Sequence, residues 1–365
     1  MCRPILPMTV GPRKGISRGG CDGAMRALKE KTMPNTLQRG LSSEQVAQFH
    51  DEGFLVVEDL IPESILADME QGITDQIDRI ATGLVRSGEL SSTYAEEPFT
   101  KRLTKITAET TRVIKEITDG ALAIPAIFEM IRCEALLDVA ESLCGPELIA
   151  SSVYRLRPKL PNYGPGVVPW HQDSGYFEPY CDTSLILTCW IPLVDANARN
   201  GCLQMLRFGH RGAVVPHGFG PSHYLEIAQS DLPAGEVVTV PVRRGGVLLL
   251  TNLTPHCSTP NTSDEIRWSM DLRYQSAGLP TNAPITRLPE ELPHESSAPI
   301  ACYPPEADVL IRSARRPQQV VRDASQFEQI RTSHAPAPIT ERWGNPSFWK
   351  EGGRRRTGHE RIAQR

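Results

Sequence analysis

The triplet His171-Gln172-Asp173 and the distant His256 place the tightest constraint on how this chain can fold. The triplet follows the strand-like pair Val167-Val168, and His256 follows the apolar run Val247-Leu248-Leu249-Leu250. Side chains alternate between faces on an extended strand, so His171 and Asp173 share one face and Gln172 takes the other. Two ligands spaced this way can reach one metal ion, and a third must arrive from a strand folded back alongside. Two histidines and one carboxylate, with coordination positions left open, suit a mononuclear non-haem iron(II) site. A His-x-Asp triplet alone is common, and a single histidine is more often a surface or core residue than a ligand. Arg267 and its strand add weight. From Arg267 to Tyr274 the residues alternate, with Arg267, Ser269, Asp271 and Arg273 on one face and Trp268, Met270, Leu272 and Tyr274 on the other. A guanidinium directed at an iron site is suited to hold a dicarboxylate through a bidentate pair.

These pieces fall in an order that resembles the phytanoyl-CoA dioxygenase family of iron(II)/2-oxoglutarate oxygenases. The matching segments are His171-Gln172-Asp173, Trp190-Ile191-Pro192-Leu193, Asn200-Gly201-Cys202-Leu203 leading to Gly209-His210-Arg211, and His256-Cys257-Ser258 with Asn261, Ser263 and Arg267. The run from Leu41 to Val57, with Phe49, Gly53 and Phe54, resembles the family's opening helix and strand. The likeness covers roughly residues 41 to 280. It implies that His171, Asp173 and His256 hold iron(II), and that Arg267 binds the distal carboxylate of 2-oxoglutarate. It further implies that Ser258 donates a hydroxyl to that cosubstrate, that Gln172 and Trp190 lie near it, and that O₂ takes the remaining position. A carboxylate at Asp173 fills the place that halogenating relatives leave to Gly or Ala, so oxygenation is expected, most simply hydroxylation of a small molecule. A non-redox cupin-like metal enzyme and a catalytically inactive binding protein are the alternatives. Arg267 and its spacing speak against the first, and the intact set of ligands together with Arg267 against the second.

Composition removes other classes of function. A net charge of −4 over 365 residues points to neither nucleic acid nor a membrane surface. No apolar run approaches the roughly 18 residues of a spanning helix. The nine cysteines are scattered without a CxxC, and a thiol beside a presumed ligand, Cys257, suits a reducing, cytoplasmic setting. The sequence carries no signal for oligomeric state.

Residues 1–40 are basic, with Arg3, Arg13, Lys14 and Arg18 among few acids, and read as a disordered extension, with Met33 as a possible start. Organelle targeting is the lesser reading of that stretch. The oxygenase domain is expected over 41–280. Residues 281–365 form a proline-rich extension partly packed on the core through Trp343, Phe348 and Trp349, with a disordered tail and a short helix near Glu306 to Arg315. Within the domain, Ser42 or Ser43 caps a helix that Gly53 ends, and Pro62 opens a second helix from Glu63 to about Leu84. Further helices span Leu103 to Ile117 and Pro125 to Leu143. Strands take over at Leu148. Arg155, Arg157 and Lys159 share one face of a strand, either solvated or lining a cavity for an anionic ligand. The apolar run Ser184 to Val194 reads as a buried strand, and Asn200-Gly201 as a hairpin turn. His210, His217 and His223 fall in a long connection and read as surface or loop histidines. Arg273 either pairs with Asp271 as a brace or meets an anionic group of the substrate. Many short strands after a run of helices argue for a mainly β protein with flanking helices, a jelly-roll core of the cupin-like double-stranded β-helix type.

Overall fold

The computed structural model describes residues 39–118, 122–177, 179–219, 224–279 and 308–332. His223, Trp343, Phe348, Trp349 and nearly all of residues 1–40 lie outside them.

The first helix, α1 (Ser43–Glu52), begins with a capping box in which Ser42 accepts from the Gln45 N–H and Gln45 answers to the Ser42 N–H. Gly53 ends it at φ 86°, and a Cβ there would meet the His210 ring at 2.3 Å. Strand β1 (Phe54–Val57) and the long helix α2 (Glu63–Ser87) follow. The expected third helix is two, α3 (Arg102–Glu109) and α4 (Arg112–Thr118). Thr110 adopts an extended backbone between them and its hydroxyl accepts from the Arg112 N–H. A threonine side chain thus competes with the helical ladder and starts a new helix. The next stretch also divides, into α5 (Pro125–Ile131) and α6 (Glu134–Cys144), with Cys133 extended between them.

The strands are β2 (Leu148–Ser151), β3 (Arg155–Lys159), β4 (Leu187–Pro192), β5 (Leu203–Leu206), β6 (Gly218–Phe219) and β7 (Leu225–Glu226). They continue with β8 (Val237–Val240), β9 (Val247–Thr251), β10 (His256–Ser258), β11 (Arg267–Ser276) and β12 (Asp308–Arg312), before the last helix α7 (Ala324–Thr332). All pairings are antiparallel. The large sheet runs β1-β9-β4-β11-β2-β12, with β3 beside the first half of β11. A smaller sheet runs β10-β5-β8, and β6 pairs with β7.

Alternation on these strands sets the layers. One face of the large sheet sends Leu187, Cys189, Ile191, Val247, Leu249 and the Trp268-Met270-Leu272-Tyr274 row against the helices. The opposite face sends Trp190, Leu248 and Leu250 against Leu203, Met205 and Val240 of the small sheet. Met270 and Leu272 are at most 1% exposed, and each such side chain stabilises the fold by roughly 1.5–3 kcal/mol. The polar row of β11 thereby faces the space between the sheets.

Two expectations fail for topological reasons. The turn at Asn200-Gly201 forms, but it does not close a hairpin: β4 before it belongs to the large sheet and β5 after it to the small one. The segment expected as a short helix near Glu306 to Arg315 is β12, which pairs with β2. Val309 and Ile311 alternate inward at 1% and 4% exposure, so period 2 prevails there.

Candidate active site

His171 and His256 are fastened to each other by the backbone. The His171 N–H donates to the His256 carbonyl and the His256 N–H to that of His171, each at 2.9 Å, so His171 extends the small sheet beyond β10. A 3₁₀ turn, Asp173–Tyr176, then carries Asp173 to the same point. Asn252, just after β9, holds that turn. Its carbonyl accepts from the Ser174 N–H at 2.9 Å, its amide donates to the Ser174 hydroxyl at 2.8 Å, and its side-chain oxygen accepts from the Ile186 N–H at 3.1 Å.

The three side chains are buried and offer ligand atoms that all lie within 4.8 Å of one another. The Nδ1 of His171 sits 2.9 Å from the Pro169 carbonyl and that of His256 2.9 Å from the Thr254 carbonyl. A carbonyl only accepts, so both Nδ1 atoms carry the proton and both Nε2 lone pairs are left to bind a metal. Burial, with His256 adjacent, pushes the His171 pKa well below the ordinary imidazole range, which keeps the ring neutral. Burial alone would raise the Asp173 pKa; the Arg273 guanidinium overrides it and keeps the carboxyl well below the usual carboxylate range. Asp173 accepts from the Thr188 hydroxyl at 2.5 Å and faces Arg273 Nη2 at 3.4 Å. A donor set of two imidazoles oriented by backbone carbonyls and one ionised, oriented carboxylate fits a divalent iron ion.

The ligands line a cavity of about 320 Å³. Lys115, Arg155, Arg157, Lys159, Arg267 and Arg273 also line it, against Asp173 and Asp271 as the acids. Arg267 is 2% exposed, its guanidinium lies 5.2 Å from the Trp190 ring, and its Nη1 donates to Ser269. Its Nε is buried without a hydrogen-bond partner among the described residues, as is Trp190 Nε1. Burial lowers the Arg267 pKa to about 10. Ser258 lines the cavity and accepts from the Val168 N–H at 2.9 Å and from Lys159 Nζ at 2.6 Å.

The structure therefore brings Ser258, Trp190, Arg155, Lys159, Arg267 and Arg273 to one cavity with the histidine–aspartate cluster. Gln172 is not among its lining residues. Its amide donates to the Leu253 carbonyl at 2.8 Å and its oxygen accepts from the Val215 N–H at 2.9 Å, so the side chain ties the 213–215 connection to the end of β9. The Arg273–Asp271 brace does not form either. Asp271 pairs across to β3 with Arg157 at 2.5 Å, and Arg273 turns to Asp173. Arg157 lies diagonally across from Asp271, whose direct register partner is Arg155, and a diagonal neighbour is still within reach of a long side chain. His210 and His217 are loop residues but buried, at 2% and 5% exposure. His217 accepts from the Gln172 N–H at 2.9 Å and bonds the Val215 carbonyl through Nδ1, so it shapes the ligand turn from behind. Thr188, Asn252 and Lys115 are missed from sequence. Thr188 had a signal, a hydroxyl interrupting an apolar run; Lys115 on α4 had none.

Facing antiparallel sheets around a two-histidine, one-carboxylate cluster define a mononuclear non-haem iron protein. The chain belongs to the phytanoyl-CoA dioxygenase family, whose model matches residues 49–269. Among curated proteins it is similar to the "Probable alpha-ketoglutarate-dependent hypophosphite dioxygenase" of Stutzerimonas stutzeri, at 26% identity over 64% of this chain and 79% of that one. It is also similar to the peroxisomal phytanoyl-CoA dioxygenase of Homo sapiens, at 24% identity over 65% of this chain and 69% of that one. Among solved structures, a non-heme monooxygenase, ThoJ, aligns at a TM-score of 0.48 and 17% identity, over 88% of this chain and 99% of that one. The chain is an iron- and 2-oxoglutarate-dependent oxygenase. Among the described residues, no helix is long and apolar enough to cross a membrane.

Proposed function

We propose that this enzyme hydroxylates a small organic molecule, with His171, Asp173 and His256 as iron ligands and Arg267 as the principal anchor of 2-oxoglutarate. The observation that carries the reading is that the ligand cluster and the buried, under-bonded Arg267 open onto one cavity. Iron(II) bound there supplies, with 2-oxoglutarate and O₂, the oxidising power that places one oxygen in the substrate and leaves succinate and CO₂. The chain's own residues orient and exclude. Thr188 and Arg273 fix the Asp173 carboxylate, the two backbone carbonyls fix the imidazole tautomers, and Trp190 and Ser258 flank the anchor. The apolar side chains packed between the sheets exclude water from the space they fill.

The two facing sheets are read as the double-stranded β-helix of a jelly-roll barrel, with the oxygenase domain over residues 41–280, a basic extension over 1–40 and an extension over 281–365. The excess of basic groups in the cavity, Arg155 and Lys115 among them, favours a substrate with an anionic group. An occupied carboxylate position at Asp173 favours oxygenation over halogenation. The described cysteines are free thiols, which favours the cytoplasm. The test is a screen of metabolite fractions for succinate release coupled to a product heavier by one oxygen atom. Turnover that yields chlorinated product, or product without added oxygen, would overturn the hydroxylase reading.

A further inference from the structure

Lys159 is a second buried basic side chain beside Arg267. The two are direct partners in the β3–β11 register, and they are 1% and 2% exposed. Among the described residues neither forms an ion pair, since Asp271, the acid nearest the anchor, is taken by Arg157 at 2.5 Å. Two like charges buried side by side are costly unless an anion joins them. The site is built tightly around Lys159: a Cβ on Gly201 would meet the lysine stem at 2.3 Å. Lys159 Nζ donates to the Ser258 hydroxyl at 2.6 Å and to the Thr259 carbonyl. Those two bonds use both hydrogens of a neutral amine and leave its lone pair over. Ser258 in turn accepts from Lys159 and from the Val168 N–H, so its own hydrogen is directed elsewhere.

We propose that Lys159, Ser258 and Arg267 form one cradle for the distal carboxylate of 2-oxoglutarate, and that Lys159 takes up a proton as the cosubstrate enters. The inference rests on the cosubstrate reading above. It assigns Lys159, which the strand pattern left either solvated or lining a cavity for an anionic ligand, to the cosubstrate end of the cavity. The charged and titratable groups facing Lys159 are Arg267 from β11, Arg157 from its own strand, Cys257 from β10 and Cys202 just before β5. Burial, then Arg267, lowers the Lys159 pKa to about 6, while burial raises both thiols, Cys257 to about 12, so neither supplies a negative charge near neutrality. An entering carboxylate supplies that charge. The third hydrogen of the ammonium then reaches one carboxylate oxygen while Arg267 and Ser258 hold the other.

The experiment is calorimetry of 2-oxoglutarate binding to the anaerobic iron(II)-loaded protein at pH 7.5, in two buffers of different ionisation enthalpy. Uptake of close to one proton per cosubstrate bound is expected, and it disappears in Lys159→Met with affinity lower by roughly 10- to 150-fold. Affinity in the unaltered protein should fall by up to tenfold per pH unit above about 6 and level off below it. Binding with no proton uptake, or uptake that persists in Lys159→Met, overturns the role of Lys159 and leaves Arg267 as the anchor. No binding of 2-oxoglutarate at all overturns the cosubstrate reading and this inference together. The two-buffer measurement on the unaltered protein decides the matter even if the variant does not fold.

Discussion

At the scale of single residues, the ligand set makes the sharpest demands. Replacing His171, Asp173 or His256 by Ala removes one of the donors that converge within 4.8 Å, so each variant should lose iron(II) in an equilibrium-binding assay. His217→Ala should keep iron(II), because His217 acts on the Gln172 backbone and not on the metal. The opposite result, with His217→Ala metal-free and His256→Ala loaded, would reassign the third ligand. Arg267→Ala should raise the apparent KM for 2-oxoglutarate roughly 10- to 150-fold while iron is retained, and an unchanged KM would move the anchor elsewhere. Arg273→Gln should weaken iron binding by roughly 10- to 100-fold, the usual effect of losing a group that orients a ligand, with KM for 2-oxoglutarate unchanged. A rise in substrate KM alone would instead return Arg273 to substrate binding. Part of this site is legible in the sequence because strand alternation places side chains directly: Arg267, Asp271 and Arg273 do share a face, and it is the face on the cavity, whereas Asp173 reaches the cluster from a 3₁₀ turn. What alternation does not carry is the partner chosen across strands. Asp271 goes to Arg157 and Arg273 to Asp173 because register, which no local pattern sets, brings them together.

At the scale of elements, boundaries follow capping chemistry and burial more than periodicity. The starts of α1 and α2, at Ser42 and Pro62, are visible in the sequence because those residues satisfy or lack the amide groups that a helix start leaves open. The break at Thr110 is hidden, because Leu103, Ile106, Val113 and Ile117 keep helical spacing on both sides of it. The segment after β11 shows what composition leaves open. Partial packing on the core is expected through Trp343, Phe348 and Trp349, but among the described residues the packing comes from others: β12 is an edge strand on β2, and Phe327 of α7 stacks on Phe128 of α5 with centroids 5.2 Å apart. Phe327 is 1% exposed, so Phe327→Ala should cost about 3–5 kcal/mol. Denaturant unfolding measures this, and a loss below about 1 kcal/mol would show that α7 is not part of the core.

At the scale of the whole molecule, the cavity concentrates buried basic groups that only anions can neutralise, and stability should register this. Lys159 has a pKa of about 6 in the folded chain against about 10.4 when unfolded, so between those values the unfolded chain binds more protons. Its destabilising effect is therefore full below about pH 6 and fades as pH rises toward 10. Lys159→Met should raise the Tm of the cosubstrate-free protein at pH 7, by an increment that shrinks as pH rises; a constant or growing increment would mean that Lys159 is charged in the folded state. The fold sets two antiparallel sheets face to face, fills part of the space between them with apolar side chains, and leaves part to the ligands and the basic groups. Oxygenase chemistry needs that arrangement, and its direct test is succinate formation from 2-oxoglutarate with iron(II), O₂ and a panel of small organic acids. The unaltered protein should release succinate with at least one panel member while Asp173→Ala releases none. Equal succinate from the two proteins, or none from the unaltered protein across the panel, would contradict the account.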